Sequence, residues 1–121
     1  MSTKESVKSF LSAKEFGNGR FNSLADLIVG QLAIKDLLDL RNNLVNDNFI
    51  KIVQDEDMMN CVREFFKYDL NVAETSRKSF LHRNTLLYRL DKINKLTGLN
   101  LRSFDDAVCF KVLAQVYRLT T

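Results

Sequence analysis

The 121-residue chain contains no proline and only four glycines. Tight turns and hairpins draw on those two residues for their special backbone angles, so a chain this poor in them has few ways to build a strand-rich fold. Helices joined by short polar links are the architecture left open. Hydrophobic residues make up 45% and charged residues 27%, which supplies a core without disulfide or metal staples. No apolar run reaches the ~18 residues of a membrane span. The start, Met1 to Ser6, lacks the apolar stretch of a signal peptide. Cys61 and Cys109 form no CxxC pair, and only one histidine is present, so no metal site is expected. Both cysteines read as packing residues in a reduced, cytoplasmic protein.

Helical spacing recurs along the chain. Val7, Phe10, Leu11 and Lys14 mark a short amphipathic helix over Ser6–Phe16, broken by Gly17-Asn18-Gly19. Ser23-Leu24-Ala25-Asp26 reads as a capping box before Leu24, Leu27, Ile28 and Leu32. Ile34, Leu37, Leu38, Arg41, Leu44 and Val45 continue the pattern. Phe49-Ile50-Lys51-Ile52-Val53 is β-branched but only five residues long with no strand to pair with, so a short helix or turn is expected. Asp57 is the expected N-cap of a helix from Met58 to Tyr68, and Asn71 that of a helix over Val72–Ser79. Phe80-Leu81-His82 forms a connector to a longer helix, Arg83–Thr97, that stops at Gly98. Ser103-Phe104-Asp105-Asp106 reads as a second capping box that opens a last helix to about Leu119.

Charge is uneven along this pattern. Residues 1–56 hold seven Lys or Arg against eight acids, whereas 57–121 hold eleven against seven. Within 71–97 alone, six cations face two acids. Such a concentration fits an anionic partner, although a solvated basic helix face gives the same count. On a helix over Arg83–Thr97, Leu86, Leu90, Ile93 and Thr97 share the core face. Asn84, Tyr88, Asp91 and Lys95 lie opposite, flanked by Arg83, Thr85, Arg89 and Lys92. Guanidinium, amide, hydroxyl and phenol groups suit DNA: Arg takes guanine bidentately, Asn takes adenine, and Thr and Tyr reach phosphate. A short helix, a three-residue link and a longer helix have the proportions of a helix-turn-helix. No nucleophile–base arrangement or phosphate-cradling Gly loop appears, so an enzyme is not expected.

The string Asn71-Val72-Ala73-Glu74-Thr75-Ser76-Arg77, then His82-Arg83-Asn84-Thr85-Leu86-Leu87-Tyr88-Arg89-Leu90, then Ile93-Asn94-Lys95-Leu96-Thr97-Gly98-Leu99-Asn100-Leu101, resembles the C-terminal helix-turn-helix of the PucR/CdaR family. These are purine-catabolism and sugar-diacid regulators. The resemblance covers about 57–119, and the helix pair is more distantly similar to that of the nucleoid protein Fis. Upstream, Phe21 to Leu27 is similar to the segment before the family's helical linker, and Val7 to Phe16 looks like the last helix of a preceding GGDEF-like domain. By position, His82, Arg83, Asn84 and Thr85 would form the leading turn of the recognition helix, with Tyr88, Arg89 and Lys92 along it. At the end of the first helix, Arg77 and Lys78 read either as phosphate clamps or as charges that complement the helix dipole. Members often have Leu where Ser79 sits, a loss of packing for which Phe80 would compensate; some have Arg at the place of Leu87.

The expectation is an all-α helical bundle containing a helix-turn-helix, with 1–56 a helical linker and 57–121 the DNA-binding domain. The resemblance implies a cytoplasmic transcription regulator that binds double-stranded DNA, homodimeric at full length, with any effector small molecule held by domains outside this chain and no cofactor. The alternative is a helical protein-interaction or dimerisation module that keeps the fold; Asp91 on the exposed face and the modest net charge of +3 favour it.

Overall fold

A computed structural model of the chain describes residues 31–121. The helix expected over Ser6–Phe16, the Gly17–Gly19 break and the Ser23–Asp26 capping box lie outside the described residues. Six helices follow in order: α1 (Ile34–Leu44), α2 (Asp47–Gln54), α3 (Glu56–Lys67), α4 (Val72–Ser79), α5 (Arg83–Thr97) and α6 (Phe104–Leu119). No strand occurs among the described residues, as the all-α reading required. The ambiguous Phe49–Val53 segment is helical, and burying Phe49 and Ile52 on one side of α2 is what decides it.

Two compact units divide the chain, 47–110 and 1–46 with 111–121. Residues 47–110 hold α2 to α5 and the opening of α6. Their core is Phe49 and Ile52 from α2, Met58, Cys61, Val62 and Phe65 from α3, Val72 from α4, and Leu86, Leu90 and Ile93 from α5, closed by Leu101, Ala107 and Phe110. Phe110 lies 5.1 Å from Phe49 in tilted contact and 6.3 Å from Phe66 edge-on, two geometries that suit aromatic quadrupoles. Phe66 and Leu81 are only half-buried. Thr75 is fully buried, and its hydroxyl donates to the Asn71 carbonyl at 2.7 Å, so no polar group is stranded there.

In the other unit, Leu37 of α1 and Val116 of α6 are buried among Leu32, Leu40, Val112 and Leu119. Arg41, an odd member of its apolar row, holds its guanidinium 5.0 Å over the Tyr117 ring and donates to Thr120 Oγ1 at 3.0 Å and Thr121 Oγ1 at 2.8 Å. Its stem covers apolar surface while its head is satisfied, so a cation fits the pattern. Ile34, Leu38 and Leu44 from the same row are half exposed.

Three local expectations are corrected. The N-cap of α3 is Asp55, not Asp57: its carboxylate accepts from Asp57 N at 3.1 Å and Met58 N at 3.2 Å, and the helix starts at Glu56. Asp57 instead adds negative charge to the first turn, where the helix dipole favours it. At the start of α6 the expected capping box does not form: Ser103 N donates to Asn100 O at 2.9 Å, and the Asp106 carboxylate turns back to accept from Asn100 N at 2.9 Å. Cys109 is exposed rather than packed, unlike Cys61. Partial burial and the neighbouring Asp106 carboxylate both raise its thiol pKa above the usual value.

Candidate nucleic-acid interface

The pair α4–α5 is built from its caps inward. The Asn71 side chain accepts from Glu74 N at 2.8 Å and starts α4. At the other end of α4, the Ser76 hydroxyl donates to the Leu81 carbonyl and ties the link to the helix. His82 is the N-cap of α5: its Nδ1 accepts from Asn84 N at 3.1 Å. A ring nitrogen that accepts a backbone N–H carries no proton, so in the neutral ring Nε2 is left as the donor. The cap and a phosphate-binding role are therefore compatible in one side chain. Gly98 ends α5 at φ +78, a left-handed angle that glycine adopts freely, and its N–H returns to Asn94 O at 2.8 Å.

Leu86 and Ile93 are 0% exposed and Leu90 is 4% exposed, which fixes the rotation of α5 about its axis. Arg83, Asn84, Tyr88, Asp91, Lys92 and Lys95 then lie exposed, as their spacing predicted, with Thr85 half-buried. Tyr88 is 66% exposed, so its ring is presented rather than packed on α4. Lys95 pairs with Asp91 at 3.0 Å, an i,i+4 contact that neutralises the one acid on this face. Arg83 and Lys92 have no ion pair among the described residues. The first turn of α5 holds no acid, whereas every other described helix opens with at least one. Its positive dipole end is thus left uncancelled beside Arg83.

Arg89 and Arg77 sit differently. Arg89 is half-buried, and its Nη1 donates to Cys61 Sγ at 3.1 Å, with a longer 3.4 Å contact to the Asp57 carbonyl. The Cys61 hydrogen bond comes first in raising its pKa above the usual value; burial opposes it, and Asp57 and Asp55 add to it. Arg89 thus anchors α5 on α3 while staying cationic. Arg77 is 68% exposed and pairs with Glu74 at 2.6 Å. Such an exposed pair is worth about 0–1 kcal/mol, so a phosphate could draw Arg77 away at little cost. Lys78 lies 4.0 Å from the same Glu74.

The link corrects one expectation. Phe80 does not compensate for the missing Leu at Ser79, because Phe80 is 94% exposed. Ser79 instead donates its hydroxyl to Glu64 Oε2 at 2.9 Å, a polar tie in place of an apolar one. On the opposite flank of α5, Leu87, Leu90, Asp91, Asn94, Asn100 and Arg102 line an open groove of about 370 Å³. Arg102 in that groove was not singled out from sequence; it lies beyond the helix pair, where periodicity gave it no role. Among the described residues no His, Cys, Asp and Glu cluster could hold a metal, and no helix is long and apolar enough to cross a membrane.

Residues 58–115 match the family described as PucR C-terminal helix-turn-helix domains. The uncharacterised protein YsfB of Bacillus subtilis (strain 168) is 39% identical over 62 residues, 51% of this chain and 17% of that protein. The carbohydrate diacid regulator of Escherichia coli (strain K12) is 44% identical over 52 residues, 43% of this chain and 14% of the regulator. The purine catabolism regulatory protein of Bacillus subtilis (strain 168) is 24% identical over 88 residues, 73% of this chain and 17% of that protein. The chain therefore spans less than a fifth of the length of the curated relatives it matches. No solved structure matches it.

Proposed function

Since residues 58–115 match the family of PucR C-terminal helix-turn-helix domains, we propose that this chain is the DNA-binding part of a transcription regulator, with 57–121 as its DNA-binding region and α5 as the helix that enters the major groove. The observation that carries the proposal is the leading turn of α5: a cap, a cation and an amide at His82, Arg83 and Asn84, all exposed, with no acid in that turn. In this reading Arg83 and Asn84 meet base edges. His82, Thr85, Tyr88 and Lys92 meet phosphates or the groove wall. Arg77 clamps the backbone from the end of α4, and Arg89 holds α5 in place and adds its charge. The mechanism is binding: phosphate contacts set position and base contacts set sequence preference. Two family relatives are named as regulators of carbohydrate diacid and purine catabolism; effector sensing, on this proposal, belongs to parts of the protein outside this chain.

The test is fluorescence anisotropy of labelled duplex DNA over a salt series, with the wild-type chain, Arg83→Ala and Lys92→Ala. Lys92→Ala should weaken binding on all sequences and reduce the salt slope by about one. Arg83→Ala should lose about 1–3 kcal/mol of discrimination between duplexes selected for binding and scrambled ones. A folded chain with no salt-dependent duplex affinity, alone or artificially dimerised, would instead indicate a protein-docking module.

A further inference from the structure

Phe80 carries two penalties at one position. Its side chain is 94% exposed, and its backbone is left-handed, at φ 56 and ψ 27. Links between the helices of such a motif often hold glycine, which takes these angles without strain. A large apolar residue there forgoes that relief and gains no burial in return. Phe80 is the C-cap of α4, so its angles end that helix much as those of Asp69 and Leu70, φ 57 and φ 63, follow the end of α3. After α3, Asp69 N donates to Phe66 O at 3.1 Å and Leu70 N to Phe65 O at 3.0 Å; the difference lies in the side chains, since Leu70 is half-buried and Phe80 is not. The left-handed angles are needed to end α4, but a large apolar side chain on them is not, since glycine would end the helix without strain; the ring is thus marked as kept for what it contacts.

The surroundings indicate what that contact is. Phe80 follows directly on the basic end of α4, Arg77 and Lys78, and precedes His82 and Arg83. Arg77, Lys78, His82 and Arg83 are all exposed. An exposed aromatic residue flanked in the chain by exposed cations suits a partner that is a polyanion with apolar facets. Duplex DNA has that character: phosphates outside, deoxyribose and thymine methyl groups between them. Aromatic contact with the thymine methyl is an established mode of base recognition. We propose that Phe80 is a DNA-contacting residue, seated against the deoxyribose and thymine-methyl surface beside the groove that α5 enters. This rests on the DNA-binding reading above.

The experiment compares the full chain with Phe80→Gly and Phe80→Tyr, by thermal melting and by anisotropy on a fluorescein-labelled, mixed-sequence duplex of about two and a half turns. Phe80→Gly relieves the backbone, so its Tm should rise by about 2–5 °C. Its affinity should fall about tenfold, the scale of one lost aromatic contact. The slope of log K against log salt should stay unchanged, since an apolar contact releases no counterions. Phe80→Tyr, which keeps the ring, should bind within about twofold of wild type. Substituting uracil for thymine in the duplex assigns the facet: weaker wild-type binding points to the methyl group and unchanged binding to the sugar, and both support the proposal. Phe80→Gly binding as wild type does, while Arg83→Ala and Lys92→Ala lose affinity, would overturn this inference alone. Loss of affinity together with a lowered Tm would overturn it too, in favour of a structural role. A wild-type chain that binds no duplex would overturn the DNA-binding reading, and this inference with it.

Discussion

Arginine residues on one helix are not equivalent, and the difference lies in where the guanidinium ends. Arg83 is exposed and has no ion pair among the described residues, so its donors are available to an incoming base or phosphate. Arg89 sits six residues on, half-buried, with Nη1 on Cys61 Sγ and near the Asp57 carbonyl. Sulfur is a weak acceptor, so the gain is modest. Yet the contacts join α5 to α3, and truncation would remove stem packing as well as hydrogen bonds. Arg89→Ala should therefore lower unfolding stability by about 0.5–1.5 kcal/mol. Arg83→Ala should leave it within about 0.5 kcal/mol of wild type. Urea denaturation followed by circular dichroism measures both; equal stabilities for the two variants would show that the contacts to α3 contribute nothing. Sequence spacing placed both residues on the flanks of the helix, and that much was legible. It could not separate them, because the acceptors for Arg89 lie 28 and 32 residues away in the chain.

At the scale of elements, helix ends carry as much of the argument as helix faces. Asn71, His82 and Gly98 close α4 and α5 where the sequence placed those boundaries, because short polar side chains and glycine have strong local preferences at these positions. The start of α3 was misplaced by two residues because Asp55 and Asp57 are equally good caps on paper, and only the chain's path selects Asp55. Phe80 was misjudged for a related reason: hydrophobicity argues for burial, but a side chain in the link goes where the left-handed backbone sends it. The acid-free first turn of α5 yields a prediction with opposed signs. Asn84→Asp places a carboxylate at an uncancelled helix N-terminus, which should stabilise the fold by about 0.3–1 kcal/mol. On the proposed DNA-binding reading the same charge would face the phosphates, so duplex affinity should fall, most strongly at low salt. Melting and anisotropy on one preparation check both. Stability and affinity rising together would place the DNA surface elsewhere than the leading turn of α5.

For the whole molecule, the question is how a single helix-turn-helix gains enough affinity to choose a site. The chain's matched segments amount to 14–17% of its curated relatives, so whatever pairs two copies in a full regulator need not be in this chain. We propose a dimer that presents two copies of α5 about one DNA turn apart, roughly 34 Å. One copy then makes only its own phosphate and base contacts, and pairing turns the second binding event into an intramolecular one. A chain fused through its N-terminus to a parallel two-stranded coiled coil by a flexible linker should bind a duplex of two or more turns about 100-fold more tightly than the unfused chain. The gain should vanish on a duplex shorter than about one turn, which has no room for the second helix. The unfused chain should show no such dependence on length. Anisotropy with the two duplex lengths and the two proteins completes the comparison. A fusion that binds short and long duplexes equally, with no gain over the single chain, would mean that the two α5 helices cannot engage one DNA together, and the dimeric arrangement would have to be abandoned even if each copy binds DNA by itself.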